Sequence, residues 1–331
     1  MAALTVLGGT KKVNVIDRET GTVLRDDSGR PVKVEVNRFF EINNLFQVAN
    51  NASYIAVMAV GMTAIIALAG IDLSIGSIYA IAALVGANVM HGLAGDTSVW
   101  LAVPIGLVVC CTIGGLAGLA NGAMIVGLRV HPFIITLGTM AVYRGIVFVM
   151  TRGQSVSGFP GAFQRSFFKL EFSGVYPMPT IIMLVIALAG MFVLARTVIG
   201  RRVYAIGGNE TAAQYAGIPV GRVKIIVYTV AGVLAGLSAC MYIGYFGAAE
   251  PNAGNAYELR VIAAAVIGGA SLSGGRGSAL GAVLGAIVVE LINNAMLILE
   301  IDQSYNQIVM GSAIIIAVVV DQTKGRFMAR G

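Results

Sequence analysis

The chain has 331 residues, 57% of them hydrophobic and only 11% charged. A soluble globular domain carries about 25% charged residues, so these proportions exclude a soluble enzyme and a disordered chain and point to a polytopic membrane protein. The net charge of +6 is modest and spread over many loops, which argues against nucleic acid as a partner.

Charge is concentrated at the start of the chain. Residues 1–45 hold 7 Lys/Arg and 6 Asp/Glu, while 46–331 hold the other 15 and 10. Met1–Gly9 is apolar but too short to span, and it lacks the basic start of a signal peptide. It reads as the end of a first helix whose beginning is truncated, with a short native N-terminus as the alternative. Val13 and Val15, then Val32, Val34 and Val36, alternate with polar residues around a DDSG turn, which is a β-hairpin pattern. The expected first unit, 1–45, is therefore a helix remnant followed by a charged extracytoplasmic insert. The second unit, 46–331, is a transmembrane domain.

Crossing a bilayer takes about 20 mostly apolar residues. Runs that qualify, or nearly do, are 48–70, 74–91, 98–128, 131–151, 177–196, 225–247, 259–274, 278–299 and 305–320. The expected fold class is an all-α polytopic membrane protein with about nine transmembrane helices. Of these runs, 259–274 and 305–320 are short, and 98–128 is long enough to be tilted or broken at its glycines. Cys110, Cys111 and Cys240 lie inside apolar runs at no metal-ligand spacing, and His91 and His131 are far apart.

Basic loop residues mark the cytoplasmic side. With the C-terminus inside, that side holds Arg129, Arg196, Arg201, Arg202, Arg222, Lys224, Arg276, Lys324, Arg326 and Arg330. The outer side then holds Arg152, Arg165, Lys169 and Arg260. The C-terminus is expected in the cytoplasm and, with an odd number of spans, 1–45 outside.

Small residues at four-residue spacing let helix backbones approach closely in lipid. Gly114, Gly118 and Gly122 have this spacing, as do Gly277, Gly281 and Gly285, and the shorter pair Gly232 and Gly236. Packing within one subunit is the expected use. GIDLSIGS (70–77) and GASLSGGRGS (269–278) echo each other, as they would after duplication of a half-transporter. No GxxxxGK[ST] loop, catalytic triad or HExxH is present, so the chain has no nucleotide site or catalytic constellation of its own.

The segment 196–224 carries five of the ten inner basic residues around a small, nearly neutral centre. Asn209 or Glu210 can cap a short helix reaching Gln214–Tyr215, with Gly217 as its stop. A short helix held between two spans suits a docking element; an ordinary basic loop is the alternative.

At this point a family resemblance becomes specific. Gly208–Ile218 (GNETAAQYAGI) resembles the EAA loop of ABC importer permeases, with Asn209, Glu210, Thr211, Ala212, Ala213 and Gly217 as the coupling positions. Residues 39–77, 121–140, 257–278 and 290–299 are similar to the corresponding regions of monosaccharide permeases of the ribose/galactose/xylose type. The resemblance covers about 39–325. It implies a permease of about ten helices, working as a homodimer in the bacterial inner membrane with an ATPase, usually a tandem fused chain, and a periplasmic sugar-binding protein. It also implies no cofactor on this chain, with ATP acting on the partner subunit.

Departures bear on the pathway. The resembling permeases read YELDAIAA where this chain has Arg260 in YELRVIAA, and an arginine near ARLSSAQP gives way to Tyr245-Phe246 in YFGAAEP. Glu290 stands where an uncharged residue is usual, and 10–38 is an addition. An ionisable residue at depth faces protein or a water-filled path, so Glu290 is either internally paired or lines the pathway. Candidate pathway or gate residues are Asp72, Ser74, Asn121, Tyr245, Phe246, Arg260, Glu290 and Asn294. Simpler roles stand beside these: an N-cap at the inner interface for Asp72, helix–helix hydrogen bonds for Asn121, Asn293 and Asn294, and an outer aromatic belt for Tyr242, Tyr245, Phe246 and Trp100. The expected function is import of a monosaccharide or related polyol by alternating access. The alternatives are an ABC permease for nucleosides or branched-chain amino acids, and an ion-coupled transporter using Glu290.

Overall fold

The computed structural model describes residues 10–14, 23, 25–26, 29–93, 95–172, 174–313, 315–316 and 319. Met1–Gly9, read as a helix remnant, and the basic C-terminal residues Lys324, Arg326 and Arg330 lie outside them. Two short strands, β1 (Thr10–Asn14) and β2 (Lys33–Asn37), pair antiparallel with Val13 opposite Val34. Arg25 bridges Pro31 around the DDSG stretch, and the Asp26 side chain accepts from the Arg30 amide at 2.8 Å.

The rest is helical. In chain order come α1 (Ile42–Ala67), α2 (Ile75–His91), α3 (Val99–Leu128), α4 (Pro132–Thr151), α5 (Met178–Arg196), α6 (Val198–Gly208), α7 (Glu210–Tyr215), α8 (Val220–Phe246), α9 (Tyr257–Ile267) and α10 (Ala279–Ile298). The two-residue strands β3 (Val156–Ser157) and β4 (Ala248–Ala249) pair across the ends of α4 and α8. Among the described residues six helices, α1, α3, α4, α5, α8 and α10, are long and apolar enough to cross a membrane. The other expected spans are shorter. α2 has 17 residues, 305–320 is helical at 306–313, and 259–274 yields only the 11-residue α9. α9 stops because Gly269 adopts a left-handed φ of +93°, the usual way a helix is terminated.

α1 is the axis of the bundle. Of its most apolar 18-residue window 83% is buried, against 11% for α4 and 22% for α5. α1 packs on α5, α8, α9 and α10, while α8 packs on α3 along its length. In the α3–α8 pair the glycine spacing works as expected. A Cβ on Gly114 or Gly118 would strike the α8 backbone at Gly232 or Tyr228, and one on Gly236 would strike Cys110 of α3. α3 runs unbroken from Val99 to Leu128, so of the two expected outcomes, tilting or a break at its glycines, the break does not occur. Gly281 and Gly285 of α10 meet Gly268 and Ala264 in the same way. Gly277, the third member of that triplet, lies in the turn before α10 and packs against Thr63 instead.

Candidate docking and translocation site

The docking segment is built by caps. Thr197 Oγ1 accepts from the Gly200 amide at 3.2 Å to start α6, and Asn209 Oδ1 accepts from Ala212 at 2.9 Å to start α7. Each satisfies an amide the helix start leaves free. α7 ends where Gly217, at φ +78°, lets the Ile218 amide reach the Ala213 carbonyl at 3.0 Å. Of the expected coupling residues, Ala213 is buried, while Asn209, Glu210, Thr211, Ala212 and Gly217 are exposed. Tyr215 is 89% exposed beside them. Glu210 is held to α8 by Lys224 Nζ, 2.8 Å from both carboxylate oxygens.

Behind this exposed face the segment is seated firmly. Gly207, near the end of α6, lies so close to the Ala67 carbonyl and to Gly275 that any side chain would collide with their backbones. Tyr204 donates to the Gly277 carbonyl at 2.8 Å, and Gly275 donates to Ala67 at 2.9 Å. A cavity of about 660 Å³ opens beside α7, lined by Leu68, Arg129, His131, Glu210, Lys224 and Tyr228 among others.

Polar side chains inside the bundle form two groups. In the first, Asp72, Ser74 and Asn121 are all fully buried. Asp72 Oδ1 accepts from the Ser74 amide at 2.8 Å and from its hydroxyl at 2.6 Å, and Asn121 Nδ2 donates to that hydroxyl at 2.7 Å. Asp72 therefore supports the start of α2 from two residues before the N-cap, which is Ser74, and it is buried inside the bundle. In the second group Glu290, 8% exposed, accepts from Asn293 at 3.1 Å, Asn306 donates to Asn293 at 2.8 Å, and Arg260 donates to Asn306 at 3.4 Å. Asn294 and Asn44 exchange two amide hydrogen bonds of 2.7 and 3.1 Å. Glu290 thus has the Asn293 amide as a partner. Arg260 is partnered by an amide where the resembling permeases carry an acid at its own position.

Of the aromatic residues expected in a belt, Tyr242 turns into the bundle. Tyr242 packs edge-on against Tyr54 and Tyr79 with ring centroids 5.9 Å away in each case, and against Phe246 at 4.5 Å. Tyr245 sits between Phe246 and Tyr176, and Tyr79 meets Tyr257 at 5.3 Å. Rings on α1, α2, α8 and α9 therefore converge inside the bundle, because each helix turns its aromatic side toward the others. Trp100, 88% exposed, and Phe246, 47% exposed, face outward. The Tyr54 and Tyr79 hydroxyls are buried with no hydrogen-bond partner among the described residues, and leaving such a group unpaired costs about 1–3 kcal/mol.

The family model for the permease component of branched-chain amino acid transport systems matches residues 44–318. The chain belongs to this permease family. The ribose import permease protein of Escherichia coli (strain K12) is 39% identical over 288 residues, covering 86% of this chain and 88% of the relative. The D-allose transport system permease protein of the same strain is 40% identical over 284 residues, 86% and 85% of the two chains. The galactose/methyl galactoside import permease protein of that strain is 34% identical over 303 residues, 86% and 88%. No solved structure matches significantly.

One functional candidate in this permease escapes the sequence reading. Arg144 lies within α4 and donates to the Ala253 carbonyl at 2.7 Å, and to Pro251 and Gly76 at 3.4 Å. It ties the start of α2 to the loop before α9. The signal was available: a lone arginine in an apolar span faces protein or a water-filled path, the same rule that singles out Glu290.

Proposed function

We propose that the chain is the membrane-spanning permease subunit of a binding-protein-dependent ABC importer for a monosaccharide of the ribose, allose or galactose class. The carrying observation is the likeness of 34–40% identity over about 86% of the chain to three sugar import permeases. The capped, exposed α7 supports a second element of the reading: Glu210–Gly217 enters a groove on a separate ATPase, usually a tandem fused chain, on which ATP acts. The apolar, weakly buried α4 and α5 are available to lipid and to a second permease copy in a homodimer. A periplasmic sugar-binding protein delivers the substrate, and the C-terminus lies in the cytoplasm. Closure of the ATPase pair draws the docking helices together and opens the path outward, and hydrolysis resets it. The permease supplies path and gate without covalent chemistry.

The test is reconstitution of the permease with its ATPase and binding protein in proteoliposomes. ATP-dependent uptake of labelled ribose, allose or galactose is expected. Uptake driven by an ion gradient with the permease alone overturns the reading in favour of an ion-coupled transporter. Stimulated ATPase activity that survives replacement of Glu210–Gly217 by a Gly/Ser linker overturns the docking assignment.

A further inference from the structure

Buried tyrosines almost always find a partner for the hydroxyl, because an unpaired polar group loses its water without compensation. Tyr54 on α1 and Tyr79 on α2 break this rule together: they are 3% and 0% exposed and neither hydroxyl has a partner among the described residues. Phenylalanine would fill the same space without that cost, so packing alone gives no reason for tyrosine at either position. Two such hydroxyls lie in a single ring cluster with Tyr242, Tyr257 and Phe246.

The place of this cluster in the fold adds a second line of argument. Tyr79 stands about one turn inside α2 and Tyr257 is the first residue of α9. α9, with 11 residues, is too short to cross a bilayer on its own, and α2, with 17, is at the lower limit. Their starts meet within the bundle: a Cβ on Gly76 would strike the Gly254 carbonyl, and Arg144 bridges Gly76 to Pro251 and Ala253. Transporters place substrate where discontinuous helices begin inside the membrane. The outer edge of the cluster is Phe246, 47% exposed, at the end of α8 beyond which β4 pairs with β3.

We propose that Tyr54 and Tyr79, with the Tyr242, Tyr257 and Phe246 rings, form the surface on which the permease holds the sugar in transit. The proposal rests on the sugar-importer reading above. A monosaccharide presents an apolar C–H face, which suits aromatic rings, and hydroxyls that both donate and accept, as a tyrosine hydroxyl does. In the present arrangement the rings close on one another, and the two hydroxyls wait for partners. When α1 and α2 part from α8 and α9, the sugar enters between the rings and supplies those partners.

The test compares Tyr54→Phe, Tyr79→Phe and the double variant with the native permease, each reconstituted with its ATPase and binding protein. Uptake of labelled ribose, allose and galactose is read alongside thermal stability of the purified complex. The double variant is expected to lose at least tenfold in uptake and to change the ratio of rates among the three sugars, with a melting temperature equal to or above the native one. Double-variant uptake within twofold of native for all three sugars overturns the proposal. A lowered melting temperature or failure to assemble also overturns it, since the hydroxyls then have a structural partner. Absence of uptake of any of these sugars by the native complex instead overturns the sugar reading itself, and the proposal with it.

Discussion

Helix α1 ends at Ala67 and α9 at Ile267, and the same backbone device closes each. Ala69 takes a left-handed φ of +59° and lets the Gly70 amide reach the Ile65 carbonyl at 2.9 Å. Gly269, at +93°, lets Ala270 reach Ala265 at 2.9 Å. Beyond that shared closure the two turns diverge. In 68–74 the chain is pinned by buried side chains, Asp72 and Ser74 with Asn121. In 268–278 it is pinned through its own backbone, with Gly275 bonded to Ala67, the Gly277 carbonyl bonded by Tyr204, and Gly274 and Gly275 against Gly207. The echo between 70–77 and 269–278 thus carries through to helix closure but not to what holds the turn. One turn is a polar lock within the membrane domain; the other is a glycine seat joined to the end of α6.

Breaking the seat has the largest expected effect. In Gly207→Val the new side chain has backbone on two sides, Ala67 and Gly275, and backbone cannot give way as a flexible side chain does. Overpacking of this kind costs about 1–3 kcal/mol or more. Size-exclusion profiles and thermal melts of the detergent-solubilised protein are expected to show a large loss of folded permease. A native melting temperature in Gly207→Val would mean that the seat is loose and that the two turns are held alike.

Breaking the lock comes next. Asp72→Ala removes an acceptor from the Ser74 amide and hydroxyl and leaves buried donors unpaired, a loss of about 1–3 kcal/mol. Asp72→Asn keeps an acceptor oxygen at the same place and is expected to cost less than half as much. Equal losses for the two variants, read from their melting temperatures, would show that the charge rather than the hydrogen bonds holds this turn.

What the sequence reveals here follows from the range of the interactions. Spacing along one helix is local, so Gly114, Gly118 and Gly122 point to a close helix contact, and Asn209 with Gly217 mark the limits of α7. Glu290 is legible as a residue needing a partner, because charge at depth always needs one. The identity of a partner is not local. Asn44 and Asn294 lie 250 positions apart, and the aromatic cluster draws on four helices whose order in space no spacing rule supplies. Tyr242 therefore looks like a belt residue until Tyr54 and Tyr79 are seen to pack against it. The nearness of Gly207 to Ala67 is equally silent in sequence, since glycine is common throughout this chain.

The shared helix closure makes the smallest and most direct test, by exchanging the left-handed residues. Gly269→Ala puts a side chain at φ +93° with open space around it, so its cost is backbone strain alone, roughly 1–2 kcal/mol. Ala69→Gly relieves the corresponding strain in the first turn. Glycine, however, loses more conformational freedom on folding, about 0.5–1 kcal/mol, so the net gain is expected to stay below about 1 kcal/mol. Melting temperature should fall in Gly269→Ala and rise by a smaller step in Ala69→Gly. A fall in Ala69→Gly would place the Ala69 methyl in a packing role that outweighs its strain, as its approach to Gly274 allows. The alanine would then belong to the seat that joins the two turns, and the likeness between them would end at the hydrogen bond.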